Sequence, residues 1–77
     1  MNYKERIVAD HQIMLGKPVI KGTRITVELL LRKMSQGAAV QDLLVMYPHL
    51  EEKDIQAALL YASDVLANEE VIHLNAA

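Results

Sequence analysis

The sequence contains no cysteine, tryptophan or phenylalanine. Without cysteine, neither a disulfide framework nor a cysteine-ligated zinc site is available. With tyrosine as the sole aromatic residue, the stacked aromatic platforms that hold single-stranded nucleic acid are not expected. The apolar runs are too short to cross a membrane, and the charged start (Lys4, Glu5, Arg6, Asp10) does not resemble a secretory signal. We therefore expect a cytoplasmic protein.

What is present is a 77-residue chain, 52% hydrophobic, which is enough for a single small globular domain. Its charge is uneven: residues 1–40 carry seven basic and three acidic residues, and residues 41–77 carry one basic and seven acidic residues. We divide the chain into an extended basic arm (1–25), a three-helix core (26–68) and a C-terminal tail (69–77). The basic half suits an anionic partner, and the acidic half suits a cationic partner or water.

Residues 7–25 have the pattern of short extended pieces. Apolar runs at 7–9, 13–15 and 19–20 alternate with turn-prone residues, and Pro18 restricts its segment to a sheet edge or a loop. This pattern predicts a short β-hairpin or an extended arm ahead of the helices.

Three helices are predicted from Thr26 onward, because its hydroxyl is a good N-cap and the apolar spacing becomes helical. The first helix ends at Gly37, and the second runs from about Val40 to Tyr47 and is stopped by Pro48. The third runs from about Glu52 to Asn68, with an apolar stripe formed by Ile55, Ala58, Leu59, Ala62 and Leu66. Leu59 lies centrally on that stripe, so we expect it in the core.

A specific run extends from Gly16 to Val27, with the sequence GKPVIKGTRITV. Together with Gly37, the Tyr47–Pro48 break, and Asp54, Ile55, Ala58, Tyr61 and Ala62, it resembles the small bacterial family called domain of unknown function 433. The resemblance covers roughly residues 6–65. The shared positions that we take as structural are Gly16, Pro18, Gly22, Thr23, Thr26, Gly37 and Pro48. Leu15 departs from the family pattern, which often has a glycine there, and Ala39 and Glu51 replace the usual Ser or Thr caps.

The resemblance implies a mainly α fold, a three-helix homeodomain-like helix-turn-helix core preceded by the N-terminal hairpin or arm. Many members of the family resemble VapB-type antitoxins encoded beside PIN-like nuclease toxins. The family has no established catalytic residue, so the resemblance implies a binding module rather than an enzyme.

Lys17, Lys21 and Arg24 are the candidate binding residues, since they surround two glycines that let a backbone approach a partner closely. They would bind DNA phosphates or the acidic groups of a toxin. The alternative is structural: the glycines serve turns, and Arg24 caps a helix or pairs with an internal carboxylate.

The third helix would be the recognition helix of a helix-turn-helix protein, but Glu51, Glu52 and Asp54 at its start would repel phosphates. The histidines (His11, His49, His73) share no metal-ligand spacing, and no serine has a nucleophile context. We therefore expect no enzyme activity, no metal and no cofactor.

Three functions fit these observations. The first is an antitoxin that binds and neutralises a PIN-like ribonuclease, with autoregulatory DNA binding as an added role. The second is a dimeric helix-turn-helix transcriptional regulator with no toxin partner, and the third is a structural dimerisation domain. In each case we expect a homodimer, because the chain is highly apolar and Val71–Leu74 forms an apolar strand or docking segment near the end.

Overall fold

A computed structural model describes residues 3–68, which form three α-helices and a two-stranded antiparallel sheet. The strands are β1 (Ile7–Val8) and β2 (Val19–Ile20), and the helices are α1 (Val27–Ser35), α2 (Val40–Met46) and α3 (Glu52–Ala67). A short 3₁₀ turn lies at Tyr3–Glu5, and a left-handed turn lies at Met14–Gly16. The predicted mainly helical fold is confirmed, and the N-terminal segment takes the hairpin form.

The sheet places the N-terminal segment against the helices. Ile7 pairs with Ile20 and Val8 with Val19, and β1 contacts α3. Ile7 and Ile20 pair across the sheet, so they share the face that packs into the core cluster, and Val19 on the opposite face is also fully buried. Residues 3–25 therefore pack as part of the folded domain.

Both ends of α1 have the caps that the sequence predicts. The Thr26 hydroxyl oxygen accepts the N–H of Leu29 at 3.0 Å. After the helix, Gly37 has φ = 102°, and the N–H groups of Gly37 and Ala38 donate to carbonyls of the last turn at 3.0 Å each. This arrangement is a Schellman motif, which requires a left-handed residue and so favours glycine.

Ala39 and Glu51 are the N-cap residues of α2 and α3, and neither side chain makes a capping hydrogen bond. A carboxylate three residues later compensates in each helix. Asp42 accepts the N–H of Ala39 at 2.7 Å, and Asp54 accepts the N–H of Glu51 at 2.8 Å. Each bond satisfies one backbone donor that a helix start leaves unpaired.

The core lies between the three helices and the sheet. Leu30, Leu43, Ile55 and Val19 are its largest fully buried side chains. The apolar stripes predicted for the first two helices face this core, with further buried or half-buried members at Val27, Leu31, Met34, Val40, Leu44 and Tyr47.

The predicted stripe of α3 is wrong in part. Leu59 is 42% exposed and Leu66 is 67% exposed, whereas Ala57 and Ala58 are fully buried beside Ile55. The helix is apolar on almost every side, so the spacing alone permits more than one orientation. The segment Val71–Leu74 lies outside the described residues. Within residues 3–68, no helix is long and apolar enough to cross a membrane.

Candidate partner-binding surfaces

An exposed basic turn joins β2 to α1. Lys21 and Arg24 are exposed, and neither has an ion pair among the described residues. Gly22 has φ = 80° at the third position of a turn in which the N–H of Thr23 donates to the carbonyl of Ile20 at 3.0 Å. The structure therefore holds these two cations in a defined loop at the surface. We call residues 21–24 the basic turn.

The side chain of Thr23 stabilises this turn from within. Its hydroxyl donates to the carbonyl of Ile20 at 2.8 Å and accepts the N–H of Ile25 at 3.0 Å. Both bonds are local, so the turn keeps its shape without a partner. Gly22 and Thr23 are therefore structural residues, as the sequence predicts, and they present Lys21 and Arg24.

Lys17, the third candidate, has an internal partner. Its Nζ lies 3.1 Å from Oε1 of Glu28, and Glu28 also lies 3.7 Å from Nη2 of Arg32. The hydrogen bond from Lys17 is the main cause that lowers the pKa of Glu28. The pairing with an internal carboxylate that the structural alternative expected of Arg24 is thus made by Lys17, and among residues 3–68 Arg24 has no ion pair. Because the pair is exposed, it contributes little to stability.

The loop before β2 contains three consecutive residues with positive φ. Met14 has φ = 50°, Leu15 has φ = 58° and Gly16 has φ = 84°. Gly16 adopts this conformation freely, but a leucine in the left-handed region is strained because its Cβ crowds the following carbonyl. Leu15 occupies the position where the resemblance leads us to expect glycine, and the structure gives the physical reason for that preference.

We expect Leu15→Gly to stabilise the protein by about 0.5–1 kcal/mol, since the relieved left-handed strain exceeds the added entropy of the unfolded chain. The side chain is 85% exposed, so its removal loses little apolar burial. Urea denaturation followed by circular dichroism measures the change. A loss of stability would show that the Leu15 side chain makes contacts that outweigh the strain.

A partly buried ion pair connects the N-terminal segment to α3. Nη1 of Arg6 donates to Oδ1 of Asp54 at 2.9 Å and lies 3.6 Å from Oε1 of Glu51. The hydrogen bond to Asp54 is the main cause that raises the pKa of Arg6 above its ordinary value. Sequence reasoning missed this contact, because nothing in the spacing links residues 48 positions apart.

A polar pocket of about 400 Å³ surrounds this ion pair and reaches the basic turn. Its lining residues are Glu5, Arg6, Lys21, His49, Glu51 and Asp54. Acids and bases are mixed in it, so it selects neither an anion nor a cation strongly. Among residues 3–68, no group of three or more histidines, cysteines or carboxylates is placed to hold a metal ion.

An apolar groove of about 620 Å³ lies between α1 and the second half of α3. Val27 and Leu31 line it from α1, and Tyr61, Val65 and Leu66 line it from α3. Glu28 and Arg32 also line it, and Glu28 pairs with Lys17 as described above. The sequence did not identify this groove, although the excess of apolar residues in α3 was a signal for it.

Comparison with known proteins gives a consistent result. A family model described as "Protein of unknown function (DUF433)" matches residues 7–62. An uncharacterized protein of Archaeoglobus fulgidus is 67% identical over 24 residues, which are 31% of this chain and 67% of that protein. The crystal structure of a DUF433 member from Anabaena variabilis is similar with a TM-score of 0.77 and 32% identity. That likeness covers 80% of this chain but 61% of the other, so the chain spans about three fifths of that protein's length.

Proposed function

The chain belongs to the DUF433 family, and from that membership and the exposed basic turn we propose that it is a non-enzymatic antitoxin that binds a PIN-like ribonuclease. The observation that carries the proposal is the pair of exposed cations, Lys21 and Arg24, without an ion pair among residues 3–68. Their charges stay hydrated until a partner supplies anions.

The chemistry of the partner fits these cations. A PIN-like nuclease holds carboxylates around a divalent metal ion, so its active site is an anionic cleft. A lysine and an arginine on one turn would enter such a cleft and compete electrostatically with the metal. Lys17 contributes less, because Glu28 neutralises it locally.

DNA binding by a homeodomain-like helix-turn-helix protein is the second candidate function, since phosphates would also bind Lys21 and Arg24. In that function α3 would enter the major groove. Glu51 and Glu52 are exposed at its start, where they would repel the DNA backbone. Any DNA contact, including autoregulatory binding, would therefore use the basic turn, and we place this function second.

The test is a calorimetric titration with a PIN-like nuclease encoded beside this chain. We expect Lys21→Ala/Arg24→Ala to weaken binding by about tenfold or more at low salt, because two charge-assisted contacts are lost. Wild-type affinity should fall as salt rises.

Lys53→Ala is the matched control, since Lys53 is an exposed cation in the acidic half of the chain. It should bind the nuclease like the wild type. A folded Lys21→Ala/Arg24→Ala variant with unchanged affinity would refute the role of the basic turn. Binding of duplex DNA, with no binding of the nuclease, would favour the second function.

A further inference from the structure

The outer face of α3 has a composition that is unusual for a solvent-exposed surface. Between Ile55 and Ala67 the only charged residue is Asp64. A helix on the surface of a monomer normally carries charged residues on the face turned away from the core. The exposed residues of this face, which we call the α3 strip, are Gln56, Leu59, Leu60, Ser63, Leu66 and Ala67.

The α3 strip is a continuous surface. Its members recur at spacings of three and four residues, so they lie along one side of the helix. Leu59 and Leu66 are 42% and 67% exposed. Leu66 also lines the apolar groove beside α1, which makes the strip and the groove one apolar surface over two helices.

We propose that the α3 strip is a homodimer interface, in which α3 packs antiparallel against α3 of a second copy. An anionic nuclease cleft or a DNA backbone requires cations, and the strip has none. Homodimer interfaces, in contrast, are more apolar than transient interfaces and are depleted in charge at their centre. The occupant that matches an uncharged apolar strip is therefore the strip itself.

The positions of large and small residues along α3 are compatible with a twofold axis that passes between Leu60 and Ser63. In an antiparallel pair this axis places the large Leu60 of one protomer opposite the small Ser63 of its partner, so the helices approach closely. The antiparallel arrangement also aligns the two helix dipoles favourably.

The length of α3 sets the extent of the strip. With sixteen residues at 1.5 Å each, α3 is about 24 Å long. One helix face alone is smaller than the roughly 800 Å² that each partner of a standard interface buries. The adjoining groove between α1 and α3, which shares Leu66 with the strip, extends the apolar surface sideways.

Sedimentation equilibrium at micromolar concentration tests the proposal. We expect the wild type to have twice the 8.6 kDa mass of the chain. Leu59→Glu/Leu66→Glu should weaken dimerisation by about 30-fold or more, since it places four charges in an apolar interface. Val45→Glu is the matched control, because Val45 is 80% exposed on α2 and lies outside the strip. It should remain a dimer.

A second pair of variants keeps the test decisive if the double variant does not fold. Ser63 is exposed, so Ser63→Glu and Ser63→Lys leave the core intact. Each should be monomeric alone because like charges meet near the twofold axis, and an equimolar mixture should form dimers. A monomeric wild type, or folded strip variants that remain dimers, would overturn the proposal. The Lys21→Ala/Arg24→Ala variant should stay dimeric, which separates this inference from the proposed function.

Discussion

Leu30→Ala is expected to destabilise the domain by about 2–5 kcal/mol, because it removes a fully buried side chain and leaves a cavity. Leu30 lies on α1 and belongs to the core cluster with Val27, Leu43 and Ile55. A domain of this size has a total stability of only about 5–10 kcal/mol. The single substitution would therefore remove a large part of it.

Leu59→Ala is the matched control for this substitution. The chemical change is identical, but Leu59 is 42% exposed, so we expect a loss below about 1 kcal/mol. The free energies of unfolding come from urea titrations at a protein concentration low enough to keep each variant monomeric. A larger loss for Leu59→Ala than for Leu30→Ala would show that α3 is rotated relative to the structure.

The orientation of α3 illustrates what the sequence cannot decide. Leu59 and Leu66 fit a helical stripe, and so do Ile55, Ala58 and Tyr61, because the helix is apolar almost all round. Contacts with distant residues select the second orientation. The ring of Tyr61 packs edge-on against that of Tyr3, with 5.5 Å between their centroids.

The helix boundaries were predictable because residues close to them in the sequence specify them. Thr26 at the start of α1, Gly37 after its end and Pro48 after α2 act through local hydrogen bonds and backbone geometry. The orientation of α1 was also predictable, because this helix has one apolar face and one polar face and only one orientation buries the apolar face. These signals fixed the helical boundaries to within about one or two residues.

The candidate site was predictable only in its residue types. The basic turn carries Lys21 and Arg24 at the surface, as the charge pattern indicates. The pairing of Lys17 with Glu28 depends on how β2 enters α1, which is a tertiary property. The same applies to the contact between Arg6 and Asp54.

Asp54→Ala is expected to cost at least about 2 kcal/mol, the second large effect, because this buried carboxylate makes two charge-assisted hydrogen bonds. One oxygen accepts from Arg6 at 2.9 Å and the other accepts the N–H of Glu51 at 2.8 Å. The substitution therefore loosens the start of α3 and also releases the N-terminal segment from the helix.

Asp42→Ala separates these two contributions. Asp42 makes the same bond to a helix-start N–H, that of Ala39 at 2.7 Å, but it is exposed and has no ion pair with an arginine within residues 3–68. We expect its loss to be about 1 kcal/mol, as for other helix caps. In a double-mutant cycle, Arg6→Met should destabilise the wild type more than it destabilises Asp54→Ala. Equal losses for Asp42→Ala and Asp54→Ala, with no coupling to Arg6, would mean that Asp54 acts as a cap and nothing more.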